Sequence, residues 1–393
     1  MGVAGSFSLI ANPGSASRKY ALYEGAALRA TLHFEWSRGK IICTLIRGAD
    51  SYSEDVDIRH FDQCASLVLA ILQKRKVMTS DDVVEKVGVR VVAPGAYFLA
   101  DRIVDDGFIA ELAAAKARAP LHIAATLEEI ETLRRQFDAA TIVGVSDSAY
   151  HITKPDYAWN YGISLEIADR FDIKRFGYHG LSVASAVRQL TKAGKLPEKL
   201  IVCHLGSGAS VTAVYKGESM DTSMGYSPLE GIIMSTRSGS IDPTATRVLR
   251  DVCGLNDGGL EKHLNTESGL LGLGGSSDIR ELLEREAAGD TRAQLALSTY
   301  VHSVQKTIGQ MAGVLDGADA IVFTGTVGER SAPIRERVIE KLHYLSFVLD
   351  ETANKNCTAS KVVTDINHAG CSPIWVVTAN EADEMARRLD YLS

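Results

Sequence analysis

The chain has 393 residues, 46% hydrophobic and 23% charged, with a formal net charge of −7 and a pI near 5.8. That length exceeds one core and predicts two domains, or three, of an ordinary soluble globular protein. The acidic balance excludes nucleic-acid binding through a general basic field, though it leaves room for a local anion site, and no apolar run approaches the ~18 residues of a membrane span.

Six cysteines, at positions 43, 64, 203, 253, 357 and 371, show no metal-type spacing. Most sit in apolar sequence, which predicts reduced thiols and a cytoplasmic location. Met1 to Ser6 fits the loose myristoylation pattern. Phe7 to Ile10 reads as a buried first strand directly after it, so no lipid anchor is expected. No charged leader precedes a long apolar stretch, and no secretory signal is expected either.

Within Ser6 to Gly25 the first strand leads through a turn of small residues, Gly14 and Ser15 among them, into a second strand. Leu32 to Phe34 and Lys40 to Ile46 predict further antiparallel strands. An amphipathic helix follows from about Phe61 to Lys74, with Phe61, Cys64, Leu67, Val68, Ile71 and Leu72 on one face. Val87 to Val92 predicts a buried strand that ends in Ala93-Pro-Gly95 and contains Arg90. An arginine inside such a run needs an anionic partner, either a structural carboxylate or a ligand.

Ala110 to Ala119 reads as helix, followed by Pro120-Leu-His122 and a charged helix from Thr126 to Phe137. Ala140 to Val145 is a strand leading into Asp147. An acidic residue there suits a metal or catalytic role, and equally a helix cap. Asn160 to Phe171 predicts another helix. Arg175 to Gly180 forms a small turn in which His179 stands just before a helix, as a cap or as a functional group.

Leu200 to Cys203 is a short apolar strand, and strand character resumes from Ser210 to Tyr215. Between them Gly206, Ser207 and Gly208 offer backbone N–H groups that phosphate oxygens can approach. Laid without gaps at an offset of 192, Asn12 falls on His204, Gly14 on Gly206, Ser15 on Ser207, Ala21 on Ala213, Tyr23 on Tyr215 and Gly25 on Gly217. Two such units predict a duplicated architecture with two glycine turns facing each other across a cleft that holds a polyphosphate. Arg237, bracketed by small polar residues, suits a two-pronged grip on a carboxylate or phosphate.

Ser268 to Arg280 is glycine-rich and opens a helix. Thr291 to Leu315 is a long helix with a core stripe at Val301, Val304, Ile308, Met311 and Leu315. Asp319 to Thr324 is a strand that runs into Gly325-Thr-Val-Gly328-Glu329-Arg330, with a helix from Pro333. That turn would point helix N–H groups at a ligand. No G-x-x-x-x-G-K-[ST] occurs, so a nucleotide would need a cradle other than a P-loop.

Taken together, these motifs resemble the acetate kinase (acetokinase) family. They are N-x-G-S-x-S-x-K-Y at Asn12, R-V-V at Arg90, G-Y-H-G at His179, H-L-G-S-G-A-S at His204, M-G-Y-S-P-L-E-G before T-R-S-G-S-I-D-P at Arg237, S-G-L-L-G-L before Asp278, F-T-G-T-V-G-E at Gly325 and T-A-N-E at Glu381. Their order and spacing resemble the family over nearly the whole chain. The resemblance implies an α/β, duplicated two-domain fold of the acetate and sugar kinase, Hsp70 and actin (ribonuclease H-like) type with an interdomain cleft. The expected domains are 1–149 plus 382–393, holding the acid, and 150–381, holding the nucleotide.

The activity the resemblance implies is reversible phosphoryl transfer from ATP to acetate, giving acetyl phosphate and ADP, with Mg2+ as cofactor and a homodimer as assembly. By the same resemblance Arg90 holds the substrate carboxylate, and Arg237 and His179 stabilise the transition state. Asn12 and Glu381 position Mg2+, and Asp147 acts as an acid/base or as a group behind the magnesium. The nucleotide is expected on Lys19, on His204, Leu205, Gly206, Ser207 and Gly208, on Asp278, Ile279 and Arg280, and on Gly325, Thr326, Val327, Gly328 and Glu329. Val92, Leu121, His122, Tyr178 and Pro228 match the side of the site that takes the acyl chain.

Four departures from the family pattern stand out. H-R-V-V-H-G-G reads V-R-V-V-A-P-G here, an asparagine-proline motif after His122 reads I-A-A-T, H-L-G-N-G reads H-L-G-S-G, and G-G-I-G-E-N reads G-T-V-G-E-R. Thr326 puts a branched side chain where glycine lets the backbone lie close to the adenosine. Two further readings therefore stay open: a kinase of this fold with propionate, butyrate or another acid as acceptor or pyrophosphate as donor, and a nucleotide-gated binding protein without acyl chemistry.

Overall fold

The first strand, β1 (Ser6–Pro13), is buried along Leu9, Ile10 and Ala11 and stands near the middle of a mixed sheet. A computed structural model describes residues 5–14, 17–37, 39–58, 60–116, 120–357 and 361–392, without the side chains of 37, 120–122 and 392. The chain divides into two units, residues 1–149 with 380–393, and residues 150–379. Glu381 therefore belongs to the first unit.

The first unit contains β1, β2 (Ser17–Glu24), β3 (Ala27–Ser37), β4 (Lys40–Arg47), β5 (Asp50–Val56), β6 (Val83–Val91), β7 (Arg102–Ile103) and β8 (Thr141–Ser146). They lie in the order β5-β4-β3-β2-β1-β6-β8-β7. The second unit contains β9 (Lys199–Leu205), β10 (Ala209–Tyr215), β11 (Glu218–Thr222), β12 (Ala320–Thr324), β13 (Val363–Asp365) and β14 (Ile374–Val377), in the order β11-β10-β9-β12-β14-β13. In the first unit β1 pairs antiparallel with β2, which pairs antiparallel with β3, while β1, β6 and β8 run parallel. The second repeats this with β9, β10 and β11 antiparallel and β9, β12 and β14 parallel. The α/β fold and its duplication are thus both present.

The register of the two hairpins differs by one residue. Asn12 lies opposite Lys19, whereas His204 lies opposite Ser210. Once β1 is laid on β9, the return strand β10 is one residue ahead of β2. The ungapped matches of Ala21 with Ala213 and Tyr23 with Tyr215 therefore pair positions one step apart, because the β9–β10 turn is shorter. Ser15, expected to fall on Ser207 in the ungapped match, lies outside the described residues.

Each sheet has its own core. Leu9, Leu22, Leu32, Phe34, Val68, Val87 and Ile130 pack in the first unit, and Val183, Leu190, Val202, Val322 and Trp375 in the second. All five residues of β12 are buried, as a parallel strand covered on both faces requires. Helix Thr291–Leu315 has the predicted bounds, starts where Asp290 accepts from the N–H groups of Arg292 and Ala293, and packs on β10.

Other expectations shift. The helix expected over 110–119 is Asp106–Ala115, capped by Asp105, with 117–119 outside the described residues. The charged helix begins at Pro120 and runs to Gln136, since proline suits the first helical turn. No single helix spans 160–171: short helices Asp156–Trp159 and Leu165–Arg170 flank Asn160, which is extended, and Gly162. A helix starts at Gly325 itself and ends at Arg330, ahead of Ala332–Ile339. Cys43, Cys64 and Cys203 are buried, Cys253 is exposed, and Cys357 and Cys371 are half-buried, so apolar surroundings hold for three cysteines rather than most.

Candidate active site

Three parallel strands of the first unit deliver polar side chains at their carboxyl ends. Asn12 lies near the end of β1, Arg90 near the end of β6, and Asp147 directly follows β8. Strand register sets them side by side, since Ala11 pairs with Val89 and Arg90 with Val145. The carboxyl ends of parallel strands are where α/β sheets bind ligands. Glu381, the first residue of helix Glu381–Leu389, completes the cluster.

Arg90 is its centre. Nη2 donates to Oδ2 of Asp147 at 2.8 Å, and Nη1 donates to Oδ1 of Asn12 at 3.2 Å while lying 3.9 Å from Oε2 of Glu381. Asn12 in turn donates from Nδ2 to Oε2 of Glu381 at 2.8 Å. Burial works against the Arg90 charge, but Asp147 and Glu381 outweigh it and hold the guanidinium more firmly protonated than usual. Its Nε is buried and makes no hydrogen bond among the described residues. The anionic partner that the strand position demanded is thus a carboxylate of the same unit. Lys19 faces Asn12 across the β1–β2 pair, so it too belongs to the first unit. Val92 is half-buried just beyond β6, and the side chains of Leu121 and His122 lie outside the described residues.

In the second unit the glycine turn gathers a different set. His179 is the N-cap of helix Gly180–Lys192, with φ of 61°. Its Nδ1 lies 3.0 Å from Oγ of Ser210, and its ring stacks 4.2 Å from that of His204, whose Nδ1 is 2.7 Å from Oγ of Ser182. A Cβ added to Gly208 would stand 3.1 Å from Nε2 of His179 and 3.5 Å from Nη1 of Arg237, so both side chains lie against the turn. Arg237 also donates to the carbonyl of Pro228 at 3.2 Å, and Ser235 N–H donates to the carbonyl of Ser207 at 3.2 Å. Gly269, at φ of 62°, backs this loop so closely that a Cβ would stand 2.2 Å from the carbonyl oxygen of Met234.

Gly325 meets the same turn from the other side. At φ of 78°, its Cβ position lies 2.7 Å from the carbonyl oxygen of Leu205, and that of Gly206 lies 3.9 Å from the backbone nitrogen of Thr326. The Thr326 side chain is exposed. Glu329 spends Oε1 on the N–H groups of Gly325 and Ala379, at 3.1 and 3.3 Å. Asp278 caps helix Ile279–Ala287 and forms a two-pronged pair with the exposed Arg280, at 2.6 Å for its closest contact. Tyr178 is buried, with its hydroxyl donating to the carbonyl of Tyr226 at 2.7 Å, and Pro228 is buried.

Several supporting side chains were not singled out from sequence. Ser210 and Ser182 hold the two histidine rings. Arg335, 1% exposed, donates to the carbonyls of Gly328 and Glu329 at 2.9 and 3.0 Å and fixes the end of the short helix Gly325–Arg330. The available signal was a polar residue inside an otherwise buried pattern: Ser210 in a wholly buried stretch of β10, and Arg335 between Ile334 and Val338.

A model of the acetokinase family matches residues 7–387. An acetate kinase of Heliobacterium modesticaldum is 36% identical over 390 residues, covering 96% of this chain and 97% of that relative. Among solved structures, a propionate kinase from Francisella tularensis is 32% identical with a TM-score of 0.88, covering 99% of this chain and all of the other. The acetate kinase of Porphyromonas gingivalis is 28% identical with a TM-score of 0.84, at the same coverage.

Proposed function

The chain belongs to the acetokinase family, and on that premise we propose how its residues divide the work of phosphoryl transfer between ATP and acetate. The activity itself is that of a phosphotransferase with a carboxyl acceptor. Such an acceptor is ionised at neutral pH, so no strong base is needed. Two anions must instead be held in line while negative charge spreads over the transferring group.

The observation that carries the residue assignment is the Arg90 cluster: a guanidinium at the carboxyl ends of β1, β6 and β8, kept charged by two carboxylates. Arg90 anchors the substrate carboxylate, and Val92, Leu121, His122, Tyr178 and Pro228 receive the acyl chain. His179 and Arg237, both against Gly208, stabilise the transferring phosphoryl group. Lys19, the turn from His204 to Gly208, Asp278 to Arg280 and Gly325 to Glu329 hold the nucleotide.

Asn12 and Glu381 offer an amide oxygen and a carboxylate, the hard donors that Mg2+ takes alongside phosphate oxygens. Among the described residues no group of three His, Cys, Asp or Glu side chains could hold a metal alone. The cluster of one guanidinium and two carboxylates is net negative before any substrate arrives, and this donor set fits a cation shared with phosphate. Bound there, Mg2+ supplies charge neutralisation on the phosphates. Asp147 acts as an acid/base or supports the metal side through Arg90.

Purified protein incubated with MgATP, hydroxylamine and acetate, propionate or butyrate should form the acyl hydroxamate, and Arg90→Ala should lower the rate by about 100-fold or more. Hydroxamate from no acid would end the assignment. Pyrophosphate replacing ATP tests the donor. Propionate as acceptor is the second reading. It is favoured by the I-A-A-T departure after His122, which bears on the shape of the acyl pocket, and by the similarity to a propionate kinase. An apolar pocket discriminates one methylene by only ~1–3 kcal/mol.

A cytoplasmic homodimer is part of the same proposal. Within the second unit Ile152, Tyr157, Ile163, Leu165, Ile167 and Phe171 are exposed in one stretch of chain, which suits burial against a second copy. Sedimentation velocity of Ile163→Asp paired with Phe171→Asp should show a monomer where the parent protein sediments as a dimer. No helix among the described residues is long and apolar enough to cross a membrane.

A further inference from the structure

His151 has no part in the assignments above, yet it is fully buried and both ring nitrogens are engaged. Nε2 lies 3.0 Å from the carbonyl oxygen of Tyr178, and Nδ1 lies 2.9 Å from Oγ of Ser219. A carbonyl oxygen only accepts, so Nε2 carries the proton and Nδ1 accepts from the Ser219 hydroxyl. Its neighbours fix its tautomer.

The carbonyl it holds belongs to the peptide that joins Tyr178 to His179. His179 sits at φ of 61°, a left-handed conformation that costs a non-glycine residue of order 1–3 kcal/mol and persists only where the surroundings impose it. Gly177, one residue further back, has φ of 82°, and a Cβ there would stand 2.9 Å from Cδ2 of His151 and 2.5 Å from Cγ2 of Thr222. The Gly177 N–H donates to the carbonyl of Gly225 at 3.2 Å. The strained turn is therefore held at Gly177 by backbone and at Tyr178 by the His151 imidazole.

We propose that His151 is a positioning residue for His179: its Nε2–H anchors the peptide ahead of the left-handed residue and so keeps the His179 ring against Gly208 beside Arg237. The inference rests on the reading that His179 acts on the transferring phosphoryl group. A histidine that only filled the core would lower stability when replaced, without regard to where a replacement donor stands.

The test uses two substitutions of the full chain. His151→Gln keeps a donor near the Nε2 position, whereas His151→Asn keeps a polar group only near the Nδ1 position. With MgATP and acetate, His151→Asn should lower kcat on the order of 10- to 100-fold, because small misplacements are costly in catalysis. KM for both substrates should stay within about 2-fold, as for an interaction made only in the transition state, and His151→Gln should return kcat to within about 5-fold of the parent. Equal kcat in the two variants, or losses that follow Tm rather than donor position, would overturn the proposal.

Should both variants aggregate, Ser219→Ala carries the test, since it removes the hydrogen bond at Nδ1 that holds the ring with its Nε2–H on the Tyr178 carbonyl. A kcat lowered by about 3-fold or more at unchanged KM supports the proposal, and unchanged kcat overturns it. His179→Ala is measured alongside. If it leaves kcat intact, the reading of His179 has failed. If it abolishes turnover while both His151 variants match the parent, only the role of His151 has failed.

Discussion

A guanidinium as enclosed as that of Arg90 keeps its charge because carboxylates stand against it, and Asp147, with no exposed surface, is the nearer of the two. Removing Asp147 leaves Arg90 with Glu381 alone, 3.9 Å away, and breaking a buried pair costs up to about 3–5 kcal/mol. Asp147→Ala should lose stability of that order in urea unfolding and acetate turnover with it. A variant as stable as the parent would show that Arg90 finds compensation elsewhere. Gly325→Ala tests a second point contact. A Cβ there meets the carbonyl oxygen of Leu205 at 2.7 Å in a left-handed conformation, so the backbone must shift and KM for ATP should rise at least several-fold in steady-state assays. At this scale the sequence revealed needs more readily than partners. Arginine in a buried strand announced an anion, yet nothing in the spacing of Arg90 and Asp147 said which one. That pairing depends on β6 and β8 lying side by side, a contact across 57 positions. His151 was hidden for the converse reason, since a histidine satisfied on both nitrogens has no signature in sequence.

Helix Pro120–Gln136 is tied to β2 by one buried carboxylate. Glu129, 1% exposed, accepts from the Tyr20 hydroxyl at 2.6 Å and lies 3.7 Å from Nε of Arg18, which also donates to the carbonyl of Gly14. Burial pushes its carboxyl up to about 7, although the Tyr20 hydrogen bond and Arg18 both pull the other way. A raised carboxyl pKa means that the folded state binds the proton more tightly than the unfolded state. That stabilisation is complete below the ordinary carboxyl range near 4.5 and is lost as pH climbs through about 7. Glu129→Gln keeps an acceptor for Tyr20 and removes the titration. Between pH 5 and pH 8, its stability relative to the parent should therefore rise, by up to about 3 kcal/mol. Urea midpoints at the two pH values check this, and a difference that stays constant or falls would refute it. Elements with a strong period were legible, Thr291–Leu315 above all. β5, by contrast, is a polar edge strand, DSYSEDV, without apolar alternation. β14 is only four residues long, preceded by Pro373, and was missed because so short an apolar run has no period to read.

The duplication was legible in the whole chain because strand and turn recur in the same order, and it was blurred because the second turn lost a residue. Its less visible consequence is that the first unit is built from two stretches of chain. Helix Glu381–Leu389 buries Met385 and Leu389, and a Cβ on Gly88 of β6 would stand 3.1 Å from a Leu389 methyl. Lys86 donates to the carbonyl of Leu389 at 3.0 Å, and Arg388 to that of Ser146 at 3.3 Å. Losing two buried aliphatic side chains costs about 2–5 kcal/mol each, which rivals the whole stability of a domain. Residues 150–379, by contrast, form one continuous unit with its own sheet and core. Expressed alone, 150–379 should unfold in a single cooperative urea transition. Residues 1–149 alone should give a broad, low-amplitude one that sharpens when a peptide of residues 380–393 is added. A cooperative 1–149 fragment, indifferent to that peptide, would mean that the C-terminal helix contributes Glu381 to the cluster and little to the stability of the sheet that presents it.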